Sequence, residues 1–187
     1  MQRGIFVRKL KHIYLIIGKS GSGKTTVQNR LFEVYKLVPL ISYTTRKPRY
    51  EGEGGHIFVS KSEFDTLEHK IAYTKFDDNE YCATSSQIDN SDIYIIDAKG
   101  IDFLKNNYHG DKKFKVIYLD ASIQTCIERM TRRGDSSDST KKRIENDEVV
   151  FNGVKEIADL IIKTDTNSVN NIAATIWNFI EKTETGI

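Results

Sequence analysis

A short apolar segment, His12-Ile13-Tyr14-Leu15-Ile16-Ile17, runs directly into a glycine-rich turn in this 187-residue chain. The turn fits the pattern G-x-x-x-x-G-K-[ST] and reads Gly18-Lys19-Ser20-Gly21-Ser22-Gly23-Lys24-Thr25-Thr26. Glycines let the backbone turn its N–H groups inward onto phosphate oxygens, and the helix that follows adds its positive end. We therefore predict a nucleotide-binding loop, in which Lys24 bridges the β- and γ-phosphates and the Thr25 hydroxyl binds Mg²⁺.

Strand-like and helix-like segments alternate along most of the chain. Residues 93–96, 114–119 and 160–162 resemble the first strand, and helical patterns cover residues 24–35, 101–106, 122–132 and 169–181. This alternation predicts an α/β fold with a central parallel sheet covered on both faces, a three-layer α/β/α arrangement. The segment from about residue 41 to 89 breaks the alternation and predicts an inserted subdomain, and polar residues 134–140 predict a mobile loop between two helices.

Composition and charge exclude several classes of protein. With 39% hydrophobic and 29% charged residues, the chain is too apolar for a disordered protein and too polar for a membrane protein. The net charge of +2 gives no general nucleic-acid signal. Two cysteines, Cys82 and Cys126, cannot form a disulfide scaffold. We expect a cytoplasmic protein with no nucleic-acid or membrane partner.

A second cationic motif follows the first helix and reads Ser42-Tyr43-Thr44-Thr45-Arg46-Lys47-Pro48-Arg49. Two arginines three residues apart, with a proline between them, can offer planar guanidinium groups to one phosphate from two directions. A charged turn around Pro48 is the ordinary alternative. The phosphate-binding loop upstream favours a second anion site.

These two motifs resemble the guanylate kinase family, whose monophosphate-binding signature is S-x-T-T-R-x-P-R. The resemblance extends in order over almost the whole chain. It includes Gly55-His56-Ile57-Phe58-Val59-Ser60, Tyr81-Cys82-Ala83-Thr84-Ser85, Asp97-Ala98-Lys99-Gly100, Arg129-Met130-Thr131-Arg132-Arg133-Gly134 and Lys142-Arg143-Ile144.

The resemblance implies ATP-dependent phosphorylation of GMP or dGMP, with Mg²⁺ as the cofactor. It implies one domain with a core at 10–40, 91–130 and 144–187, a monophosphate-binding subdomain at 41–90 and a lid at 131–143. The protein is expected to be a monomer or a homodimer. The acceptor would contact Ser42, Arg46, Arg49, His56, Tyr81, Thr84 and Asp97, while Arg129, Arg133 and Arg143 would close over the donor phosphates. His56 replaces a family tyrosine and is either a phosphate donor or an ordinary turn residue.

The chain departs from the family where the base is read. The family has a glutamate that accepts hydrogen bonds from guanine, and alignment on Phe76 puts Ala72 at its position. Asp77, Asp78 or Glu80 could substitute only in a rearranged loop. Losing such a carboxylate costs about 1.5–3 kcal/mol of discrimination.

Two other functions remain open from the sequence. A related kinase that accepts a sugar phosphate, such as ribose 1,5-bisphosphate, would explain the altered base-reading positions. A non-catalytic binding module of this family would have a degraded phosphate loop, whereas Lys24 and Thr25 are both present. We therefore favour catalysis, with Lys24, Arg46, Arg133 and Arg143 as the residues that stabilise the transferred phosphoryl group.

Overall fold

The computed structural model describes residues 9–48 and 51–186. Eight strands and seven α-helices follow one another in this part of the chain, with a short 3₁₀ turn at Val154–Glu156. The strands are β1 His12–Ile17, β2 Ser42–Thr44, β3 His56–Phe58, β4 Lys70–Phe76, β5 Asn79–Thr84, β6 Ile93–Ile95, β7 Lys113–Asp120 and β8 Leu160–Lys163. The helices are α1 Lys24–Tyr35, α2 Lys61–Thr66, α3 Ser85–Asp89, α4 Ala98–Asn107, α5 Ile123–Arg132, α6 Ser137–Val150 and α7 Val169–Thr185. None of the helices described is long and apolar enough to cross a membrane.

The main sheet is parallel and has the strand order β6-β1-β7-β8. Strand β1 is buried on both faces, because Ile13 and Leu15 belong to one apolar cluster and Tyr14 and Ile16 to another. The first cluster contains residues of α4, and the second contains residues of α1 and α7. Helices therefore cover both faces of the sheet, which confirms the predicted three-layer α/β arrangement and explains the continuous apolar run in β1.

The segment between α1 and β6 forms a second sheet with the order β3-β2-β5-β4. Here β2 pairs with β3 in parallel, whereas β5 is antiparallel to both β2 and β4. Ile71 and Ala83 of this sheet join the same apolar cluster as Ile101 and Leu104 of α4. The inserted segment is thus attached to the main sheet through α4, which brings its strands to the mouth of the phosphate-binding loop.

The polar segment 134–140 differs from its prediction, because its second half is helical. Helix α6 begins at Ser137, and the Oγ atom of Ser136 accepts a hydrogen bond from the backbone N–H of Ser139 at 3.3 Å. Serine at this position satisfies a free N–H group and so starts a helix. The connection from α5 to α6 is therefore short, and Arg143 lies on a helix.

Candidate active site

The loop between β1 and α1 curls around its own lysine. Gly21 and Gly23 have φ values of 80° and 96°, which residues with a Cβ rarely adopt. The Nζ atom of Lys24 donates hydrogen bonds to the carbonyl oxygens of Gly18 at 2.6 Å and Lys19 at 3.0 Å. The ammonium group is thereby held beside the face of the loop that binds phosphate oxygens in this type of turn.

Opposing effects determine the pKa of Lys24. Desolvation by burial lowers the pKa of Lys24 from 10.5 to about 8, and the neighbouring Asp147 carboxylate opposes this shift. At neutral pH the ammonium form still predominates. A phosphate beside the lysine would add negative charge and raise its pKa again, so the side chain would act as a cation toward a bound phosphate.

Close packing beneath Gly21 predicts that Gly21→Ala destabilises the protein. A Cβ atom at this residue would lie 2.6 Å from the carbonyl oxygen of Cys126. Strain and overpacking together should lower the free energy of unfolding by about 2–4 kcal/mol, measured by urea denaturation. Gly52→Ala is the matched control, because Gly52 has a φ of 78° and no atom within 4 Å of such a Cβ. Equal losses in both variants would contradict the packing argument.

Arg129 of helix α5 supports this loop through backbone contacts. Its Nη1 atom donates to the carbonyl oxygens of Gly21 at 3.4 Å and Ser22 at 3.2 Å. Its Nη2 atom donates to the carbonyl oxygen of Thr164 at 2.8 Å. Several of its N–H groups are thus engaged with the protein, and the structure gives Arg129 a supporting position. Its predicted contact with the donor phosphates stays a prediction.

A cavity of about 760 Å³ extends from the phosphate-binding loop to the second sheet. It brings together residues from both cationic motifs, from α6 and from the end of β6. The residues predicted for function that line it are Gly18, Ser20, Lys24, Ser42, Arg46, His56, Tyr81, Asp97 and Arg143. The two cationic motifs, which helix α1 separates in the sequence, therefore face one common space.

The guanidinium group of Arg46 is oriented by Glu53. Its Nη1 and Nη2 atoms donate to the two carboxylate oxygens at 3.1 Å and 2.8 Å, and its Cζ atom lies 5.2 Å from the centroid of the Phe58 ring. Burial acts to lower the pKa of Arg46, but the hydrogen-bonded Glu53 outweighs it and the net shift is upward. Arg46 is thus a fixed cation in the cavity. The other predicted arginine, Arg49, lies outside the described residues.

Ser42, His56, Tyr81 and Tyr94 form a polar wall of the cavity beside Arg46. The Oγ atom of Ser42 and the Nδ1 atom of His56 are 3.0 Å apart, and the His56 ring meets the Tyr81 ring edge-on at 5.6 Å. His56 begins strand β3 and is therefore not a turn residue. Burial raises the pKa of Tyr94 far above its ordinary value, so its hydroxyl stays a proton donor. These groups can donate hydrogen bonds to an anion.

The position of the family's base-reading glutamate offers no polar side chain. Ala72 lines the cavity with a φ of 53° and an exposed fraction of 1%. Glu80, one candidate substitute, is engaged elsewhere, because it accepts the Tyr73 hydroxyl at 2.8 Å and pairs with Lys61 at 2.6 Å. These contacts also lower the pKa of Glu80, chiefly through Lys61. Glu80 is thus an ionised structural group of the second sheet.

The turn between β4 and β5 supplies other polar groups to the cavity. Asp77 and Asn79 line it, together with Thr74. Thr84 is absent from the described lining of the cavity, and its hydroxyl donates to the Oε1 atom of Gln87 at 3.4 Å. The predicted contact of Thr84 with the base therefore stays a prediction, and of the three candidate substitutes for the missing glutamate Asp77 is the one that lines the cavity.

A second cavity of about 370 Å³ lies on the other side of Lys24. Thr25, Thr26, Arg129 and Arg133 line it, and Arg133 is held by Asp135 through contacts of 3.0 Å and 2.6 Å. Arg143 lines the larger cavity instead. The arginines that were predicted to act together thus approach the phosphate-binding loop from two sides.

The residues described contain no cluster of three or more His, Cys, Asp or Glu side chains that could hold a metal ion. Thr25 is exposed in the second cavity next to Lys24, as the metal-binding hydroxyl of such a loop must be. Asp97 caps α4, and its Oδ1 atom accepts the backbone N–H of Lys99 at 2.8 Å. A single exposed hydroxyl beside the loop fits a magnesium ion that arrives with nucleotide phosphates and keeps most of its water.

Sequence reasoning missed several residues that line the cavity, Tyr94 among them, and the most informative of these is Asp147. It lies on α6, is buried and contacts the phosphate-binding loop. Its only local signal is its position four residues after Arg143, which has meaning only if helix α6 is recognised. The sequence offers Glu51 and Glu53 as candidates for the acidic residue that the family has after its P-R pair, and in the structure Glu53 contacts Arg46.

The parallel sheet, the glycine-rich loop and the two cationic motifs in one cavity define a P-loop kinase. A family model described as guanylate kinase matches residues 10–183. The chain belongs to the guanylate kinase family, which confirms the resemblance read from its motifs.

Individual relatives agree with this family assignment. The guanylate kinase of Campylobacter jejuni strain RM1221 is 30% identical over 165 residues, covering 80% of this chain and 80% of the relative. That of Neisseria gonorrhoeae is 31% identical over 147 residues, covering 71% and 70%.

Solved structures agree on the fold. Guanylate kinase from Anaplasma phagocytophilum superposes with a TM-score of 0.60 at 19% identity, over 94% of this chain and 87% of that one. Shikimate kinase from Acinetobacter baumannii, in complex with shikimate, gives 0.53 at 16% identity, over 92% and 94%. At such identities the likeness shows the fold alone.

Proposed function

We propose that this protein transfers the γ-phosphoryl group of ATP to GMP or dGMP and releases ADP and the nucleoside diphosphate. The observation that carries this proposal is that Lys24 and Arg46 line the same cavity. A donor-phosphate loop and a monophosphate-binding motif thus face each other across one space. Membership of the guanylate kinase family supports GMP as the acceptor.

The reaction requires positioning and neutralisation of charge more than covalent help from the protein. The loop of residues 18–26 would hold the donor phosphates. Ser42, Arg46, His56 and Tyr81 would hold the acceptor phosphate, together with Arg49, so that one of its oxygens points at the γ-phosphorus. This oxygen is already ionised near neutral pH, and no general base is needed.

Two parts of the chain would move relative to the core during the reaction. We assign residues 41–90 to the subdomain that binds the monophosphate and residues 131–143 to the lid. Arg133 and Arg143 belong to the lid. As the lid closes and excludes water, these two arginines would offset the negative charge of the phosphates.

In this scheme the magnesium ion would enter the site bound to ATP. When bound together with ATP, Mg²⁺ would supply positive charge that offsets the charge of the donor phosphates. The Thr25 hydroxyl would be its protein ligand, and Asp97 would accept hydrogen bonds from its water shell. The scheme requires no further protein ligand for the metal ion.

An acceptor panel tests the proposed function and its base selectivity. With ATP as the donor, GMP and dGMP should give the highest kcat/KM among GMP, dGMP, IMP, AMP, CMP, UMP and ribose 1,5-bisphosphate. IMP lacks the 2-amino group of guanine. Because Ala72 offers no carboxylate to that group, we expect IMP to fall within about tenfold of GMP. Formation of each diphosphate is measured by chromatography.

The panel has a direct internal control, which is ATP turnover without any acceptor. Phosphorylation of ribose 1,5-bisphosphate faster than GMP would contradict the proposed acceptor. ATP consumption that does not depend on an acceptor would contradict phosphoryl transfer between two bound substrates.

A further inference from the structure

The carboxylate of Asp147 lies inside the phosphate-binding loop. Its Oδ2 atom accepts a hydrogen bond from the backbone N–H of Ser20 at 2.7 Å, and the residue is only 6% exposed. It also acts on Lys24, because its charge raises the pKa of that lysine against the effect of burial. The Asp147 carboxylate thus already accepts one of the backbone N–H groups of the loop.

The donor phosphates would need the same backbone N–H groups. In a loop of this type the backbone N–H groups after the first glycine converge on phosphate oxygens. The N–H of Ser20 cannot make a short hydrogen bond to a carboxylate and to a phosphate at once. Two anions a few ångströms apart in a partly desolvated cavity also repel each other strongly. Binding of the donor therefore competes with the Asp147 contact.

The same contact connects the loop to helix α6. Arg143 precedes Asp147 by four residues, which places both side chains on one face of the helix. Both also line the cavity of about 760 Å³. A movement of α6 that withdraws Asp147 from Ser20 must therefore shift Arg143 as well.

We infer that Asp147 is a positioning residue that ties helix α6 to the phosphate-binding loop until the donor phosphates displace it. Displacement exchanges one anion for another in the loop and frees Arg143 to approach the donor. Asp147 thereby lowers the affinity for ATP and couples donor binding to movement of α6. This inference rests on the donor site of the proposed function.

Removal of the charge of Asp147 tests the inference without any need for catalysis. Asp147→Asn keeps the size of the side chain and an acceptor for Ser20, but removes the negative charge. We expect inorganic tripolyphosphate, titrated calorimetrically without metal, to bind this variant about tenfold more tightly than the wild type. Asp147→Ala, which removes both charge and acceptor, is the second variant and should also bind more tightly.

The matched control is Glu148→Gln, which removes a charge from the next residue of the same helix. Glu148 is exposed, and tripolyphosphate affinity should stay within about twofold of the wild type because solvent screens its charge. In steady-state assays Asp147→Asn should lower the KM for ATP without raising kcat. A purely structural role for Asp147 would instead weaken binding together with thermal stability.

Three outcomes decide whether the inference holds. Tighter binding in the Asp147 variants supports the inference, and it does so even if no acceptor is phosphorylated and the proposed function fails. Equal or weaker binding in both Asp147 variants overturns it. If neither the wild type nor any variant binds tripolyphosphate or ATP, the donor site itself is wrong and the inference fails with it.

Discussion

Replacement of Lys24 with alanine is expected to lower kcat for ATP-dependent phosphorylation of GMP by at least about 10³-fold. The lysine holds a positive charge in the loop, beside the cavity that also contains Arg46. Without it, the negative charge that develops on the donor phosphates loses its closest protein cation. The rate is measured by coupling ADP release to an optical assay at saturating ATP and GMP.

The folded state should survive this substitution. Burial disfavours the charge of Lys24, which lowers its pKa to about 8, and its hydrogen bonds go to carbonyl groups of the loop, so we expect its loss to affect the loop and not the apolar core. Circular dichroism and thermal denaturation check this point. Lys105→Ala is the control, because Lys105 is exposed on α4 and its loss should leave kcat unchanged. Activity of Lys24→Ala within tenfold of the wild type would end the kinase assignment.

The conservative variant Arg46→Lys should raise the KM for GMP by about 10²-fold and change the KM for ATP by only a few fold. Lysine keeps the charge but not the planar set of N–H donors that can hold Glu53 and a phosphate together. In the protein the two Nη atoms of Arg46 already bind Glu53. The guanidinium group would therefore have to bind the Glu53 carboxylate and the acceptor phosphate at the same time. Initial rates over a matrix of GMP and ATP concentrations separate the two KM values.

Arg30→Lys is the matched control for this substitution. Arg30 lies on α1, is partly exposed and contacts Glu33 at 3.3 Å, outside both described cavities. Both KM values should stay at those of the wild type. An unchanged KM for GMP in Arg46→Lys would remove Arg46 from the acceptor site, and an equal rise in both KM values would indicate general damage to the protein.

Much of the core could be predicted because its signals are local. The run from His12 to Ile17 is apolar at every position after the first, as a strand buried on both faces requires, and the glycine pattern after it has one established geometry. Helix α1 was predicted with the bounds that the structure gives it, Lys24–Tyr35. The signature from Ser42 onwards identified the second cationic motif, whose Arg46 lines the same cavity as Lys24.

The unpredicted parts depend on contacts between distant residues. Ser20 and Asp147 are 127 positions apart, and no local pattern says that a carboxylate of α6 reaches the loop. The left-handed conformation of Ala72 comes with an irregular register between β4 and β5. The residue types of the two strands do not predict this irregularity. The engagement of Glu80 by Lys61 also required the folded sheet.

The most direct test of the two-substrate cavity is the affinity for adenosine and guanosine joined by five phosphates. One such molecule spans both sites, and its second half binds at a high effective concentration. Calorimetry should give a Kd at least about 10²-fold below those of ATP and GMP, and Lys24→Ala and Arg46→Lys should each remove most of this gain. A Kd no lower than that of ATP would contradict the placement of donor and acceptor sites in one cavity.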